Sequence, residues 1–197
     1  MVLGKTRVLF LCTQNSARSQ IAEAFLREYG GEQFEAYSAG CDASDAIHPY
    51  TVQVMEESGI DIQKQYPKNL REYMGRMHFG YVITVCSRAE RECPRVFPGM
   101  GHKLTWLFDD PRAADVSEDE QLEKFREVRD QIERKILYWL DHQDEQLAKL
   151  REKRERERQL RLSAAQIETT NREAFAVLGE IDECNQVFFS PPVALSA

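Results

Sequence analysis

The sequence predicts an α/β fold: a four-stranded parallel sheet flanked by helices, with a helical C-terminal extension. Three observations lead to this prediction. Short apolar runs alternate along the chain with helical patterns, and such alternation favours parallel strands joined by right-handed crossovers. The runs Arg7–Leu11 and Tyr81–Val85 are mostly continuous, as in strands buried on both faces. From Asp141 onward the composition becomes highly charged, which predicts a segment outside the main core.

The elements follow in order along the chain. The predicted strands are Arg7–Leu11, Phe34–Ala39, Tyr81–Val85 and Lys103–Leu107. The first helix runs from Ser19 to about Tyr29 and stops at Gly30-Gly31, because glycine commonly ends helices. The second begins at His48-Pro49, since proline is favoured in the first helical turn. A short helical turn is predicted over Leu70–Met74.

A long helix is predicted after the last strand. Ser117 to Glu120 has the form of a capping box, in which the serine and the glutamate satisfy each other's backbone N–H groups. Apolar residues then recur at spacings of three and four, the period of an amphipathic helix; they are Leu122, Phe125, Val128, Ile132, Ile136 and Leu140. Residues 1–142 are therefore expected to form one domain.

Residues 143–197 form the predicted extension. Lys149–Arg161 is almost free of apolar side chains, and Glu152 with Arg156 makes a favourable i,i+4 pair. This pattern is typical of a solvated helix. A second amphipathic helix is predicted across residues 164–181, and its apolar face needs either the core domain or another chain. Self-association through the extension is therefore left open.

Composition excludes several classes of protein. The chain has 197 residues and a formal net charge of −7, which argues against general nucleic-acid binding. It has no run of 18 apolar residues and no signal-peptide pattern, so we expect no membrane association and a cytoplasmic location. Its five cysteines form no C-x2-C pair, and its four histidines lie far apart, so no metal site is expected.

The most informative segment is the loop after the first strand. Cys12 is followed by five residues and then by Arg18-Ser19. A loop of this length can curl into a ring of N–H donors that Arg18 closes with its planar fork, and it enters a helix N-terminus that favours an anion. We expect this field to lower the pKa of the Cys12 thiol, with the Ser19 hydroxyl donating to the thiolate.

Other reactive residues also follow strands. Cys86 comes directly after the third predicted strand, and Asp109-Asp110 come shortly after the fourth. Because ligands of parallel sheets bind beyond the C-terminal strand ends, we expect Cys12, Cys86 and Asp110 on one rim. Asp109 remains the alternative to Asp110, since one residue of misalignment exchanges them.

These residues together resemble the thioredoxin-coupled arsenate reductases, which share the low-molecular-weight protein tyrosine phosphatase fold. The resemblance covers Thr6 to Leu140. The motifs are Cys12–Gln20, Tyr37-Ser38-Ala39-Gly40, Ser58-Gly59-Ile60-Asp61-Ile62, Val85-Cys86 with Cys93-Pro94, Asp109-Asp110-Pro111 and Phe125–Asp130.

The resemblance implies reduction of arsenate to arsenite by a relay of three thiols. Cys12 would attack arsenic while Asp110 protonates the leaving oxygen. Cys86 would then form a disulfide with Cys12, and Cys93 would move that disulfide to Cys86–Cys93 for a thioredoxin- or glutaredoxin-type reductant. The oxyanion, arsenate or a phosphate-like group, would be held by Thr13, Gln14, Asn15, Ser16, Ala17 and Arg18. Asn15 is expected to brace the loop, and Cys41 and Cys184 are expected to have no part.

Two alternatives stay open. One is a phosphatase acting on phosphotyrosine or a small phosphoester. Gln20 stands where a phosphatase of this fold is expected to have proline, and Arg112-Ala113-Ala114 stands where tyrosines would line an aryl wall; a phosphatase also has no need of Cys86 and Cys93. The other is a binding or regulatory module in which the extension docks a partner and the old active site senses oxidants.

The resemblance also bears on cofactors. Some members of the family bind potassium beside the loop through positions that match Asn15, Glu23 and Ser38 together with a carboxylate. Lys68 stands at the position of that carboxylate, so its ammonium could replace the cation near Glu23. We therefore predict no potassium requirement and no other bound cofactor.

Overall fold

A computed structural model describes residues 4–94, 98–112 and 117–142, and single positions of the extension (145, 152, 156, 157, 159–161, 163, 166 and 167). Its strands are β1 (Thr6–Cys12), β2 (Phe34–Gly40), β3 (Phe79–Thr84) and β4 (Met100–Thr105). Its helices are α1 (Arg18–Gly30), α2 (Pro49–Glu57), α3 (Ser87–Glu92) and α4 (residues 118–142), and one 3-10 turn spans Leu70–Glu72.

The four strands form one parallel sheet in the order β2-β1-β3-β4, which confirms the predicted fold class. The central strand β1 pairs with both neighbours, so that Leu9 lies beside Tyr37 on one side and Val82 on the other. The fourth strand begins three residues earlier than predicted, because its register pairs Met100 with Phe79. As a half-exposed edge strand, it lacks the apolar run that marks the central strands.

Helix α4 covers part of the sheet through its apolar stripe. Trp139 is fully buried, and its ring centroid lies 4.9 Å from that of Phe34 and 5.1 Å from that of Tyr81. The predicted capping box starts this helix, since Ser117 N–H donates to Glu120 at 2.9 Å and Glu120 N–H donates to the Ser117 hydroxyl at 3.3 Å. Large buried side chains of this kind contribute roughly 1.5–3 kcal/mol each.

The topology places the Cys12 loop at a crevice. From β1 the chain first adds β2 on one side and then β3 on the other. Strand order therefore reverses at β1, and such a switch point is where open parallel sheets bind ligands. Cys12 is the last residue of β1, so it lies at the floor of this crevice.

Contacts divide the chain into two units, Met1–Asp141 and His142–Ala197. In the second unit the described positions are helical, and Arg156 pairs with Glu152 at 2.7 Å, as the i,i+4 spacing predicted. The predicted second helix of the extension lies outside the described residues except for a few positions, and Cys184 lies outside them as well. No described helix is long and apolar enough to cross a membrane.

Candidate active site

The Cys12 sulfur lies at the centre of a hydrogen-bond network. The N–H of Asn15 donates to Cys12 Sγ at 3.0 Å, and the Ser19 hydroxyl oxygen lies 2.9 Å from the same sulfur. Asn15 Nδ2 donates to that hydroxyl oxygen at 2.8 Å, which directs the hydroxyl proton of Ser19 toward the sulfur. The loop thus supplies two donors to a thiolate at Cys12.

Asn15 braces the loop rather than pointing outward. It is fully buried and has a left-handed backbone with φ of 51°, a conformation that asparagine tolerates better than most residues. Its side chain also donates to the Ser38 hydroxyl at 2.8 Å, and its Oδ1 accepts from the N–H of Lys68 at 2.7 Å. The expected bracing role of Asn15 is therefore confirmed.

The end of β2 approaches this loop closely. A Cβ placed on Gly40 would lie 2.4 Å from the carbonyl oxygen of Thr13, so only glycine fits there. The N–H of Asp42, two residues further along the chain, donates to the same Thr13 carbonyl at 2.9 Å. The residues after β2, including Cys41, are thereby held against the loop.

Burial raises the pKa of the Cys12 thiol above its ordinary value. The hydrogen bonds of Ser19 and Asn15 and the charge of Arg18 act in the opposite direction, but they do not outweigh the loss of solvation. The expectation of a lowered thiol pKa is therefore wrong for this structure. The reason is that Cys12 is only 4% exposed, a feature that the motif by itself does not reveal.

Arg18 connects the loop to the segment after β4. Its Nη2 lies 2.9 Å from Asp110 Oδ2, and its Nη1 donates to the Phe108 carbonyl at 3.0 Å. The guanidinium is 9% exposed, whereas the Asp110 carboxylate is 46% exposed. Of the two candidate acids, Asp110 rather than Asp109 thus contacts the arginine of the loop.

Arg112 is a residue that the sequence reasoning missed. Its guanidinium donates to both carboxylate oxygens of Asp110, at 3.0 and 2.8 Å, and also contacts the side chain of Gln14. A second cation therefore stands beside Arg18 at the edge of the loop. The only signal in the sequence was its position two residues after Asp110. The apolar patterns that predict strands and helices do not indicate which charged residues will meet.

Two arginines control the charge of Asp110. Burial by itself raises the pKa of this carboxyl, but the hydrogen bonds from Arg112 and the charge of Arg18 together lower the pKa below its ordinary value. Asp110 is therefore ionised at neutral pH in this arrangement. To act as an acid, it must first lose part of this pairing.

The second thiol of the motif lies beside the loop. Cys86 is free and 1% exposed, and its sulfur is 3.6 Å from the Thr13 hydroxyl. It also caps α3, since Cys86 Sγ accepts from the N–H of Ala89 at 3.3 Å. Cys12 and Cys86 follow the neighbouring strands β1 and β3, so the expected convergence of these two residues on one rim is confirmed.

Cys93 is not beside Cys86. The two residues cap opposite ends of α3, and seven residues at about 1.5 Å per residue separate their Cα atoms by about 10 Å. Cys93 instead forms a disulfide with Cys41, with a Cα–Cα distance of 5.7 Å. Cys41, which was expected to have no part in the relay, is thus bonded to one of the relay cysteines, because the fold brings the end of β2 to the end of α3.

A buried ion pair supports the loop from behind. Lys68 Nζ lies 2.9 Å from Glu23 Oε2, and both side chains are 6% exposed. The Ser38 hydroxyl and Arg27 also contact the Glu23 carboxylate. Within the described ranges, no group of three or more His, Cys, Asp or Glu side chains is arranged to hold a metal ion. The Lys68 ammonium thus lies beside the Glu23 carboxylate.

Comparisons with known proteins agree with this geometry. The family model described as low molecular weight phosphotyrosine protein phosphatase matches residues 7–156. The arsenate reductase of Halalkalibacterium halodurans is 37% identical over 134 residues, which are 68% of this chain and 94% of that protein. The arsenate reductase of Bacillus subtilis is 38% identical over 125 residues, which are 64% of this chain and 88% of that protein.

Solved structures give the same result. A structure described as an arsenate reductase in the phosphate binding state has a TM-score of 0.58 at 29% identity and covers 69% of this chain and 97% of its own. These comparisons confirm the resemblance to arsenate reductases that the motifs indicated. With the Cys-x5-Arg loop at the switch point of a four-stranded parallel sheet, this chain belongs to the low molecular weight phosphotyrosine protein phosphatase family.

Proposed function

We propose that this chain reduces arsenate to arsenite, with Cys12 as the nucleophile. The observation that carries the proposal is the second free thiol, Cys86, buried against Thr13 of the nucleophile's own loop. Phosphoester hydrolysis does not need a second thiol there. Relatives named arsenate reductase, at 37–38% identity over most of their length, support the same reaction.

The first step joins sulfur to arsenic. The Cys12 thiolate attacks arsenate, an S–As bond forms, and one hydroxyl group of the arsenate leaves as water after accepting a proton. The Ser19 and Asn15 donors stabilise the thiolate, and Arg18 with the loop backbone holds the remaining oxygens. Asp110 supplies the proton. When Arg18 turns from Asp110 to the oxyanion, the carboxylate loses a cation and gains a negative neighbour, which favours its protonation.

The second step transfers two electrons. The Cys86 thiolate attacks Cys12 Sγ, a Cys12–Cys86 disulfide forms, and the electron pair of the S–As bond stays on arsenic, which leaves as arsenite. Cys93 then attacks Cys86, releases the Cys12 thiolate and forms Cys86–Cys93. Because these cysteines cap opposite ends of α3, that bond requires α3 to unwind, since disulfides need Cα atoms within about 7 Å.

The reductant is a thioredoxin-type dithiol protein in a reducing cytoplasm. Such a partner delivers the two electrons that each arsenate consumes, and the chain needs no resident cofactor. Glutaredoxin with glutathione is the competing reductant. Coupled assays that supply one reductant at a time distinguish them, because NADPH is oxidised only when the reductant present regenerates the enzyme.

The test is NADPH oxidation with thioredoxin, thioredoxin reductase and arsenate. We expect arsenate-dependent turnover in the wild type, none in Cys12→Ser and none in Cys86→Ser. Ser58→Ala, at the far end of α2, serves as the matched control and should turn over normally. Sustained arsenate turnover by Cys86→Ser would overturn the relay.

A phosphatase is the second candidate, since the family model carries that name and an acid such as Asp110 suits either leaving group. A neighbour described as a low molecular weight protein tyrosine phosphatase from T. tengcongensis, with a TM-score of 0.56, covers 70% of this chain and 99% of its own, and at 24% identity it supports the fold alone. Phosphoester hydrolysis that survives Cys86→Ser, without arsenate turnover in the wild type, would favour this candidate.

A further inference from the structure

We propose that Cys41 is a fourth redox-active thiol, which takes Cys93 from the Cys86–Cys93 disulfide and so returns both Cys12 and Cys86 to thiols. This inference rests on the proposed arsenate reduction. Its basis is the Cys41–Cys93 disulfide, in which the Cα atoms lie 5.7 Å apart. That separation is within the range of about 4.4–6.8 Å that disulfides require.

The path of α3 explains how these two residues meet. The helix starts at Cys86, after β3, and ends at Cys93, about 10 Å away. Cys41 follows β2, and β2 and β3 lie on either side of β1, about 9–10 Å apart at the usual strand spacing. Helix α3 therefore spans the distance from the end of β3 to the end of β2, past the Cys12 loop.

The folded helix and the Cys41–Cys93 bond are compatible, whereas the folded helix and a Cys86–Cys93 bond are not. A Cys86–Cys93 disulfide requires α3 to give up its backbone hydrogen bonds and the cap that Cys86 Sγ forms with Ala89. Transfer of Cys93 to Cys41 lets the helix form again and restores that cap. Refolding of α3 thus favours the exchange.

Exposure also favours Cys41 as the last sulfur of the relay. Cys12, Cys86 and Cys93 are 4%, 1% and 6% exposed, respectively, whereas Cys41 is only partly buried. Thiol–disulfide exchange with an external protein requires access to a sulfur. Moving the disulfide onto Cys41 carries it from the interior of the site to a position that a reductant can reach.

The exchange is balanced without any additional oxidant. The Cys41 thiolate attacks Cys93 Sγ, the Cys86–Cys93 bond breaks, the Cys41–Cys93 bond forms, and Cys86 leaves as a thiolate that takes a proton. Arsenate supplied the oxidising equivalents in the preceding steps. The product has Cys12 and Cys86 free and Cys41 bonded to Cys93, the pairing found in the structure.

This product can accept a second arsenate before any reductant arrives. Cys12 and Cys86 would again reduce one arsenate and finish as a Cys12–Cys86 disulfide. Four thiols then yield two arsenites per chain. Without Cys41 the relay stops at Cys86–Cys93, where Cys12 has no thiol partner, and only one arsenite is formed.

The experiment counts arsenite without a reductant. The full chain carrying Cys184→Ser is fully reduced, desalted without oxygen and mixed with excess arsenate, and arsenite per chain is measured. We expect two for this parent protein and one after adding Cys41→Ser. A second variant, Cys41→Ala, repeats the measurement with a different side chain, and circular dichroism checks that both fold.

The outcomes separate this inference from the proposed function. One arsenite per chain in the parent and in both Cys41 variants would overturn the role of Cys41 and leave arsenate reduction intact. Two in all of them would also overturn it, because Cys41 would then be dispensable. No arsenite in any would contradict the proposed function itself. Peptide mapping after one equivalent of arsenate should link Cys41 to Cys93 in the parent.

Discussion

The Nη2 of Arg18 lies 2.9 Å from Oδ2 of Asp110, so the arginine that closes the oxyanion loop is paired with the residue proposed to donate the proton. Arg112 reaches the same carboxylate oxygen at 2.8 Å. Binding of an oxyanion by Arg18 must therefore compete with this pair. The competition links substrate binding to the charge of the acid.

Removal of Arg112 should raise the pKa of Asp110. Burial favours the protonated carboxyl, while the hydrogen bonds of Arg112 and the charge of Arg18 hold the pKa below its ordinary value. In Arg112→Gln the carboxylate should therefore take up its proton at a higher pH. The measurement is a carbon-13 NMR titration of the Asp110 carboxyl. Arg126→Gln, which breaks a distant pair with Glu57, is the control and should leave the titration unchanged.

Replacement of Asp110 should slow arsenate turnover much more than replacement of Asp109. A positioned general acid contributes about 10²–10⁴-fold, and Asp110 is the neighbour of Arg18. We expect Asp110→Asn to lower kcat/KM by about this factor, and Asp109→Asn to change it by less than about threefold. Steady-state kinetics with the coupled assay measure both. A larger loss in Asp109→Asn would reverse the assignment.

Loss of the Ser19 hydroxyl should raise the pKa of Cys12 further. This hydroxyl and the Asn15 N–H are hydrogen-bond partners that lower the thiol pKa against burial. The thiolate fraction at neutral pH falls as the pKa rises. In Ser19→Ala the thiolate absorbance near 240 nm should therefore appear at a higher pH, with Cys12→Ser as the reference. A hydrogen bond to a charged group contributes roughly 1.5–3 kcal/mol, so kcat/KM should fall about 10- to 100-fold. An unchanged thiolate titration would contradict this role.

The buried pair of Lys68 and Glu23 should make potassium unnecessary. Lys68 Nζ lies 2.9 Å from the Glu23 carboxylate and 5.1 Å from the centroid of the Tyr66 ring. We propose that exchange of sodium for potassium, at constant ionic strength, leaves the activity and melting temperature of the wild type unchanged. A several-fold activation of the wild type by potassium would contradict this proposal.

Lys68→Met should lower the stability of the protein, because breaking a buried ion pair costs about 3–5 kcal/mol. The loss should lie at the lower end of this range, since Arg27 still pairs with Glu23. We expect a loss of about 3 kcal/mol in urea unfolding, partly restored by potassium but not by sodium. Lys103→Met is the matched control, since Lys103 pairs with Glu90 in a more exposed position. An equal effect of both cations on Lys68→Met would show that the site does not select potassium.

Formation of a Cys86–Cys93 bond should unfold α3. A protein with serine at positions 12, 41 and 184 retains only this pair of cysteines, and an oxidant closes it. Hydrogen exchange of residues 89–93 should then be much faster than in the reduced form, because the N–H groups of Glu90 and Cys93 lose their partners on Cys86 and Ala89. Amides of α1 serve as the internal reference. Equal protection of α3 in both forms would contradict the unwinding.

The sequence by itself determined the central strands, the helices α1, α2 and α4 and the nucleophile loop, but it did not indicate α3. β1 and β3 are nearly continuous apolar runs, and Cys12, Arg18 and Ser19 lie within eight residues of one another. Such features are local, since side-chain periodicity and loop length follow directly from residue order. The predicted start of β4 was three residues too late, because the residues of this half-exposed edge strand carry no strong periodic signal.

Only the tertiary structure decided which distant residues meet. It paired Arg18 with Asp110 rather than Asp109, placed Arg112 beside them, and joined Cys41 to Cys93 across 52 residues. It also reversed the expected shift in the pKa of Cys12, because burial outweighs the hydrogen bonds of the loop. Contacts and desolvation of this kind depend on how the strand ends and α3 pack together, and no local pattern in the chain encodes that packing.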